Sequence, residues 1–124
     1  MEIHTAVLEN RYLKAVFLPE FGGRLWELWD KYTGRNLLYT NDVLQFSNLA
    51  VRNAWFSGGV EWNIGIIGHN PFTTEPLYTA QTVNEDGEPV LRMYEYERNS
   101  KSDLSDGLLD WKKTASFLNC RMRY

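Results

Sequence analysis

Apolar and polar positions alternate along much of this chain, and no segment repeats apolar residues at the three-and-four spacing of a helix face. Tyr12 to Leu18 (YLKAVFL) is a β-branched and aromatic run that stops at Pro19, as strands do when a turn ends them. In Arg24 to Asp30 (RLWELWD), Leu25, Glu27 and Trp29 alternate with Arg24, Trp26, Leu28 and Asp30, and the preceding Gly22-Gly23 pair predicts a tight turn or a bulge. Together the two segments read as a hairpin. Turn chemistry around Thr33-Gly34 leads into a further strand at Asn36 to Thr40. Residues 41 to 57 have no decisive period and read as loop. Pro76 to Asn84 and Glu88 to Arg98 flank an Asp86-Gly87 turn and form the clearest hairpin of the chain. Asn99 to Gly107 is polar and loop-like. The closing Thr114 to Tyr124 alternates as one more strand, with Phe117, Asn119, Arg121 and Arg123 on one side and Leu118, Cys120, Met122 and Tyr124 on the other. The pattern predicts an all-β chain of about seven short strands, arranged as an antiparallel β-sandwich or part of one.

Length and composition narrow the choice of function. A chain of 124 residues makes one ordinary domain, residues 1–124, and can bury about two-thirds of its extended surface. Aromatic residues make up 15% of it, with five Trp and seven Tyr, more than a core of this size requires, so some rings are expected to face a ligand or a partner. Net charge is −3 and the basic residues are scattered in sequence, which argues against nucleic acid as a partner. The single cysteine, Cys120, excludes an internal disulfide and offers no metal-ligand spacing, so no metal or cofactor is expected. The opening MEIHTAVLEN lacks the apolar region of a signal peptide, and apolar runs are only a few residues long, so no membrane span is expected. The default location is the cytoplasm, unless a signal lies outside the chain.

The chemistry concentrates in Gly58 to Pro71, GGVEWNIGIIGHNP. His69 is one of two histidines; flanked by Gly68 and by Asn70-Pro71, it reads either as a structural imidazole or as an acid/base group held by a defined loop. Glu61, between Val60 and Trp62, reads either as the partner of an arginine, Arg24 or Arg52, or as a carboxyl raised by burial for catalysis. Trp26, Trp55 and Trp62 are core residues or platforms for the CH face of a sugar. Phosphate-binding glycine loops, nucleophile elbows and HExxH metal motifs are missing from the sequence.

Two stretches then carry a resemblance. LENRYLKAVFLPEFGGRLWELWDKYTGRNLLYTN (Leu8 to Asn41) and AWFSGGVEWNIGIIGHNPFTTEPLYTAQTVNEDGEPVLRMYEYER (Ala54 to Arg98) resemble the amino-terminal part of the DUF5107 family. That resemblance implies a galactose mutarotase-like β-supersandwich, of which this chain would be the amino-terminal part, in bacterial proteins where such domains often precede tetratricopeptide repeats. In the wider superfamily a Gly-Gly strand leads to a His that moves a proton at the sugar ring oxygen. By this resemblance His69 is a ligand-facing acid, Arg24 and Glu61 line or brace a pocket, and Trp62, Asn63 and Asn70 contact or shape it. The later carboxylate that serves as base in mutarotases has no counterpart here, and no second His follows His69. The expectation is therefore a carbohydrate-binding, non-catalytic module. The alternatives are part of a mutarotase, epimerase or glycan-processing enzyme with His69 as acid, and a structural or protein-interaction sandwich. An open sheet edge in a shortened sandwich would further allow a homodimer.

Overall fold

The computed structural model describes residues 2–48, 54–62, 73–101 and 110–121. Nine strands are described: β1 (Ala6–Glu9), β2 (Leu13–Leu18), β3 (Arg24–Asp30), β4 (Arg35–Asn36), β5 (Ser47–Asn48), β6 (Ala54–Trp55), β7 (Tyr78–Val83), β8 (Pro89–Lys101) and β9 (Asp110–Arg121). They pair antiparallel into a four-stranded sheet β1-β2-β3-β4, a two-stranded sheet β5-β6 and a three-stranded sheet β7-β8-β9. The molecule is an all-β antiparallel sandwich, as the alternation predicts.

The core lies between the four-stranded and three-stranded sheets. Leu8, Ala15 and Phe17 from β1 and β2 meet Leu91 and Met93 from β8, and Ala6, Leu25, Leu28, Trp62 and Leu77 pack around them. Burying a side chain such as Leu91 or Phe17 contributes about 1.5–3 kcal/mol each. Val16 and Leu18 are buried as well, so β2 is covered on both faces. Two backbone bonds carry the β2–β3 turn across to the approach of β7, Gly22 N to Glu75 O and Leu77 N to Pro19 O.

Four expectations are corrected in detail. Strict alternation along β3 fails because the β2–β3 register shifts between Val16 and Phe17: Val16 faces Glu27, Phe17 faces Leu25, and Trp26 is the extra residue of a bulge. Leu25 and Leu28, of opposite parity, consequently both pack on the core. The strand expected at Asn36 to Thr40 is only two residues long, because Asn36 folds its side chain back, its Oδ1 accepting from Leu28 N and Leu38 N. Residues 41 to 57 contain the short β5–β6 pair within the expected loop. Asn99 to Lys101, expected in a polar loop, belong to β8, and β9 starts at Asp110; residues 102–109 lie outside the described set.

Candidate functional site

Arg24 opens β3 directly after the glycine turn, and its side chain is only 3% exposed. A buried guanidinium must find acceptors, and this one finds them on a segment far along the chain. Nη1 donates to Phe56 O at 2.6 Å and Gly58 O at 3.0 Å, and Nη2 donates to the Thr73 hydroxyl at 2.9 Å. Glu61 Oε2 lies 3.8 Å from Nη2, with a side chain 15% exposed. The guanidinium also covers the Phe56 ring, 3.7 Å from its centroid. Burial lowers the Arg24 pKa from its ordinary value and the Glu61 charge opposes that shift, which leaves a group that stays cationic at any physiological pH. Nε of Arg24 is buried without a hydrogen-bond partner among the described residues.

The segment that receives Arg24 is pressed against β3. Leu25 N donates to Val60 O and Val60 N to Leu25 O, so Val60 extends the side of β3 that β4 occupies further along. Gly59 N donates to Tyr39 O at 2.8 Å. Gly59 has φ +64°, and a Cβ there would run into the Leu25 carbonyl oxygen; only glycine allows this approach. Trp62 follows, its Nε1 donating to Gly23 O at 2.9 Å while its ring packs on the core. Beneath Arg24, Phe56 sits among Phe21, Phe46 and Trp26 with centroid separations of 5.3–6.0 Å.

Three of the residues singled out in sequence thus come together: Arg24, Glu61 and Trp62 converge on one buried seam. Asn63, His69 and Asn70 lie outside the described residues. Phe56 and Thr73 join the seam without a sequence signal, because they stand 32 and 49 positions from Arg24 and only the fold makes them neighbours. Elsewhere, a groove of ≈ 550 Å³ separates edge strand β1 from the β7–β8 hairpin, lined by Val7, Glu9, Gln81, Val83 and Val90 among others, and it holds none of these residues. Among the described residues, no group of three or more His, Cys, Asp or Glu is placed to hold a metal ion.

An all-β sandwich braced by a buried arginine is the class that fold and seam define. The chain belongs to the family described as Domain of unknown function (DUF5107), which it matches over residues 2–119. It is similar to a crystal structure of a TPR-domain containing protein from Parabacteroides distasonis ATCC 8503, with 26% identity over 79% of this chain and a TM-score of 0.66. The matched region spans 16% of that protein's chain. The expectation of tetratricopeptide repeats as partners is overturned: every described element is a strand, whereas such a repeat is a pair of helices, and the repeats belong to that other protein. No helix among the described residues is long and apolar enough to cross a membrane.

Proposed function

We propose that this chain is a non-catalytic carbohydrate-binding β-sandwich module, the amino-terminal part of a larger mutarotase-like domain. The observation that carries the non-catalytic reading is the Arg24 seam. The Arg24 donors that lie against Phe56 O, Gly58 O and Thr73 are engaged inside the fold, and Glu61 sits against the same guanidinium. An acid and a base for anomer interconversion must both reach the sugar, and the Glu61 carboxylate instead lies against Arg24, 3.8 Å from Nη2 with its side chain only 15% exposed. In this reading Arg24, Glu61 and Trp62 brace the chain that leads to Asn63, His69 and Asn70, and those three residues contact the ligand. Sugar is the ligand class that the superfamily resemblance and the surplus of aromatic side chains favour.

Two measurements test the two halves of the proposal. Nuclear magnetic resonance exchange of glucose and galactose anomers is expected to match buffer for the wild-type chain and for His69→Ala; a wild-type rate above buffer that His69→Ala abolishes would establish the enzymatic alternative. Screening on immobilised neutral and acidic glycans is expected to give hits. Retention of none would leave a structural or protein-interaction sandwich, the reading that the internal engagement of Arg24 and Trp62 equally accommodates.

A further inference from the structure

The four-stranded sheet leaves part of the sheet it packs on uncovered. Leu8 of β1 meets Leu91 and Met93 of β8 in the core. Residues directly opposite on neighbouring strands share a face, so Thr79, Gln81 and Val83, which pair with Met93, Leu91 and Pro89, belong to the core side of β7. All three are nevertheless exposed, Val83 at 70%. Among the described strands β1 pairs only with β2, and β7 only with β8, so each is a sheet edge. The groove of ≈ 550 Å³ runs between them.

Backbone groups on both rims turn towards that groove. In an antiparallel pair, residues alternate between exchanging hydrogen bonds and pointing their N–H and C=O away from the partner strand. Asn10 N donates to Leu13 O at 2.9 Å, so one step along the ladder Glu9↔Lys14 is an unbonded pair, Leu8↔Ala15 a bonded one and Val7↔Val16 again unbonded. Val7 and Glu9 therefore present their backbone N–H and C=O to the free edge. On β7, Asn84 N donates to Glu88 O at 3.0 Å, and the same count turns the groups of Val83, Gln81 and Thr79 away from β8. Leu77, of the same parity, shows that direction in use, its N–H donating to Pro19 O at 2.8 Å.

Charge distinguishes one end of the groove. The turn that joins Val83 to Pro89 carries Glu85 and Asp86, both exposed, and neither forms an ion pair among the described residues. The carboxylate on the β1 rim, Glu9, is by contrast matched by Lys31 at 3.1 Å. The groove thus offers a row of backbone donors and acceptors, a wall of valine, threonine and glutamine, and unmatched negative charge beyond one end. An extended peptide with small β-branched side chains and a terminal cation complements all three.

We propose that the free edge of β1 receives an extended segment of a partner protein, which pairs through its backbone with Val7 and Glu9, lays alternate β-branched side chains over Gln81 and Val83, and brings a lysine or arginine to Glu85 and Asp86. The added strand would lie about 4.8 Å beyond β1, over the uncovered side of β7. This site uses none of Arg24, Glu61 and Trp62, so it does not rest on the carbohydrate-binding reading.

The test uses the full chain and two capped heptapeptides, Lys-Lys-Val-Thr-Val-Thr-Val and Val-Thr-Val-Thr-Val-Lys-Lys, one of which brings its lysines to the 84–88 turn whichever way the added strand runs. Fluorescence anisotropy of the labelled peptides is expected to show saturable binding that weakens as salt rises from about 50 to about 500 mM. Amide hydrogen exchange, read by nuclear magnetic resonance, is expected to slow by roughly tenfold or more at Val7 and Glu9 when the tighter peptide saturates, with little change at Leu8, whose N–H is already bonded to β2. Of two versions of that peptide methylated on alternate amide nitrogens, the one blocked towards β1 is expected to lose binding. Glu85→Gln combined with Asp86→Asn is expected to weaken binding roughly fivefold, the effect of losing about 1 kcal/mol, and Tyr32→Ser, in the exposed turn after β3, to change nothing. Unchanged circular dichroism confirms that both variants fold.

Absence of saturable binding by either peptide, equal binding by both methylated versions, or slowed exchange at Thr79, Gln81 and Val83 without slowing at Val7 and Glu9 would each overturn the proposal. Slowed exchange at Val7 and Glu9 as protein concentration rises without peptide would overturn it in favour of a second copy of this chain. Glycan hits without peptide binding would overturn this proposal alone, and peptide binding without glycan hits would remove only the carbohydrate-binding reading.

Discussion

At the scale of single residues, Arg24 shows how a charge is made tolerable inside a small β protein. Its acceptors are two backbone carbonyls and a hydroxyl that would otherwise face an apolar interior. Replacing it with methionine keeps much of the volume but leaves those groups and Glu61 without the guanidinium. Arg24→Met is therefore expected to cost about 3 kcal/mol in urea denaturation, and Arg24→Lys to recover only part of it, since one ammonium cannot reproduce the planar fork. Gly59 offers a controlled comparison with Gly34, because both have positive φ, +64° and +66°, but a Cβ at Gly34 meets nothing within 4 Å. Gly34→Ala is expected to cost about 1–2 kcal/mol from backbone conformation alone. Gly59→Ala should cost distinctly more, because the new Cβ also meets the Leu25 carbonyl; equal losses in thermal melts would refute the close approach as its cause.

At the scale of elements, turns are where side chains decide the outcome. Asp30 closes β3 with its Oδ1 accepting from Tyr32 N at 2.8 Å and Thr33 N at 3.3 Å, and the Thr33 side-chain bond, followed by the Tyr32 backbone bond, lowers the Asp30 pKa. A carboxyl with a depressed folded pKa stabilises the fold above its unfolded value near 4 and loses that contribution as pH falls through the folded value. The stability difference between wild type and Asp30→Asn is accordingly expected to be level from pH 6 to 8 and to shrink towards zero below about pH 4; a difference unchanged in acid would exclude the charge as its source. Most strands were legible from alternation and turn residues, above all β2, β3 and the β7–β8 hairpin. The Trp26 bulge was not, since an extra residue leaves no mark in a two-residue period. Nor was the role of Asn84, whose Oδ1 accepts from Asp86 N and Glu88 N and so organises the turn attributed to Asp86-Gly87. In the candidate site the Arg24–Glu61 pairing was one of two that the residues allowed, while Phe56 and Thr73 carried no signal because their proximity is created only by folding.

At the scale of the whole molecule, the two large sheets meet in a narrow core, and the seam around Arg24 ties β3 to the chain at Phe56, Gly58 and Thr73. Met93 is fully buried in that core, and Met93→Ala is expected to cost about 2–5 kcal/mol, measured by calorimetry, with both sheets lost in one transition. The strands β1, β2 and β3 follow one another as local hairpins, whereas Arg24 reaches acceptors 32, 34 and 49 positions away. Loops of that length close late, after the local pairs have formed. The brace consequently governs how long the native state lasts more than how quickly it is reached: Arg24→Met is expected to accelerate unfolding in stopped-flow chevrons and leave the refolding limb nearly unmoved, and a slowed refolding limb would place the brace in the folding nucleus instead.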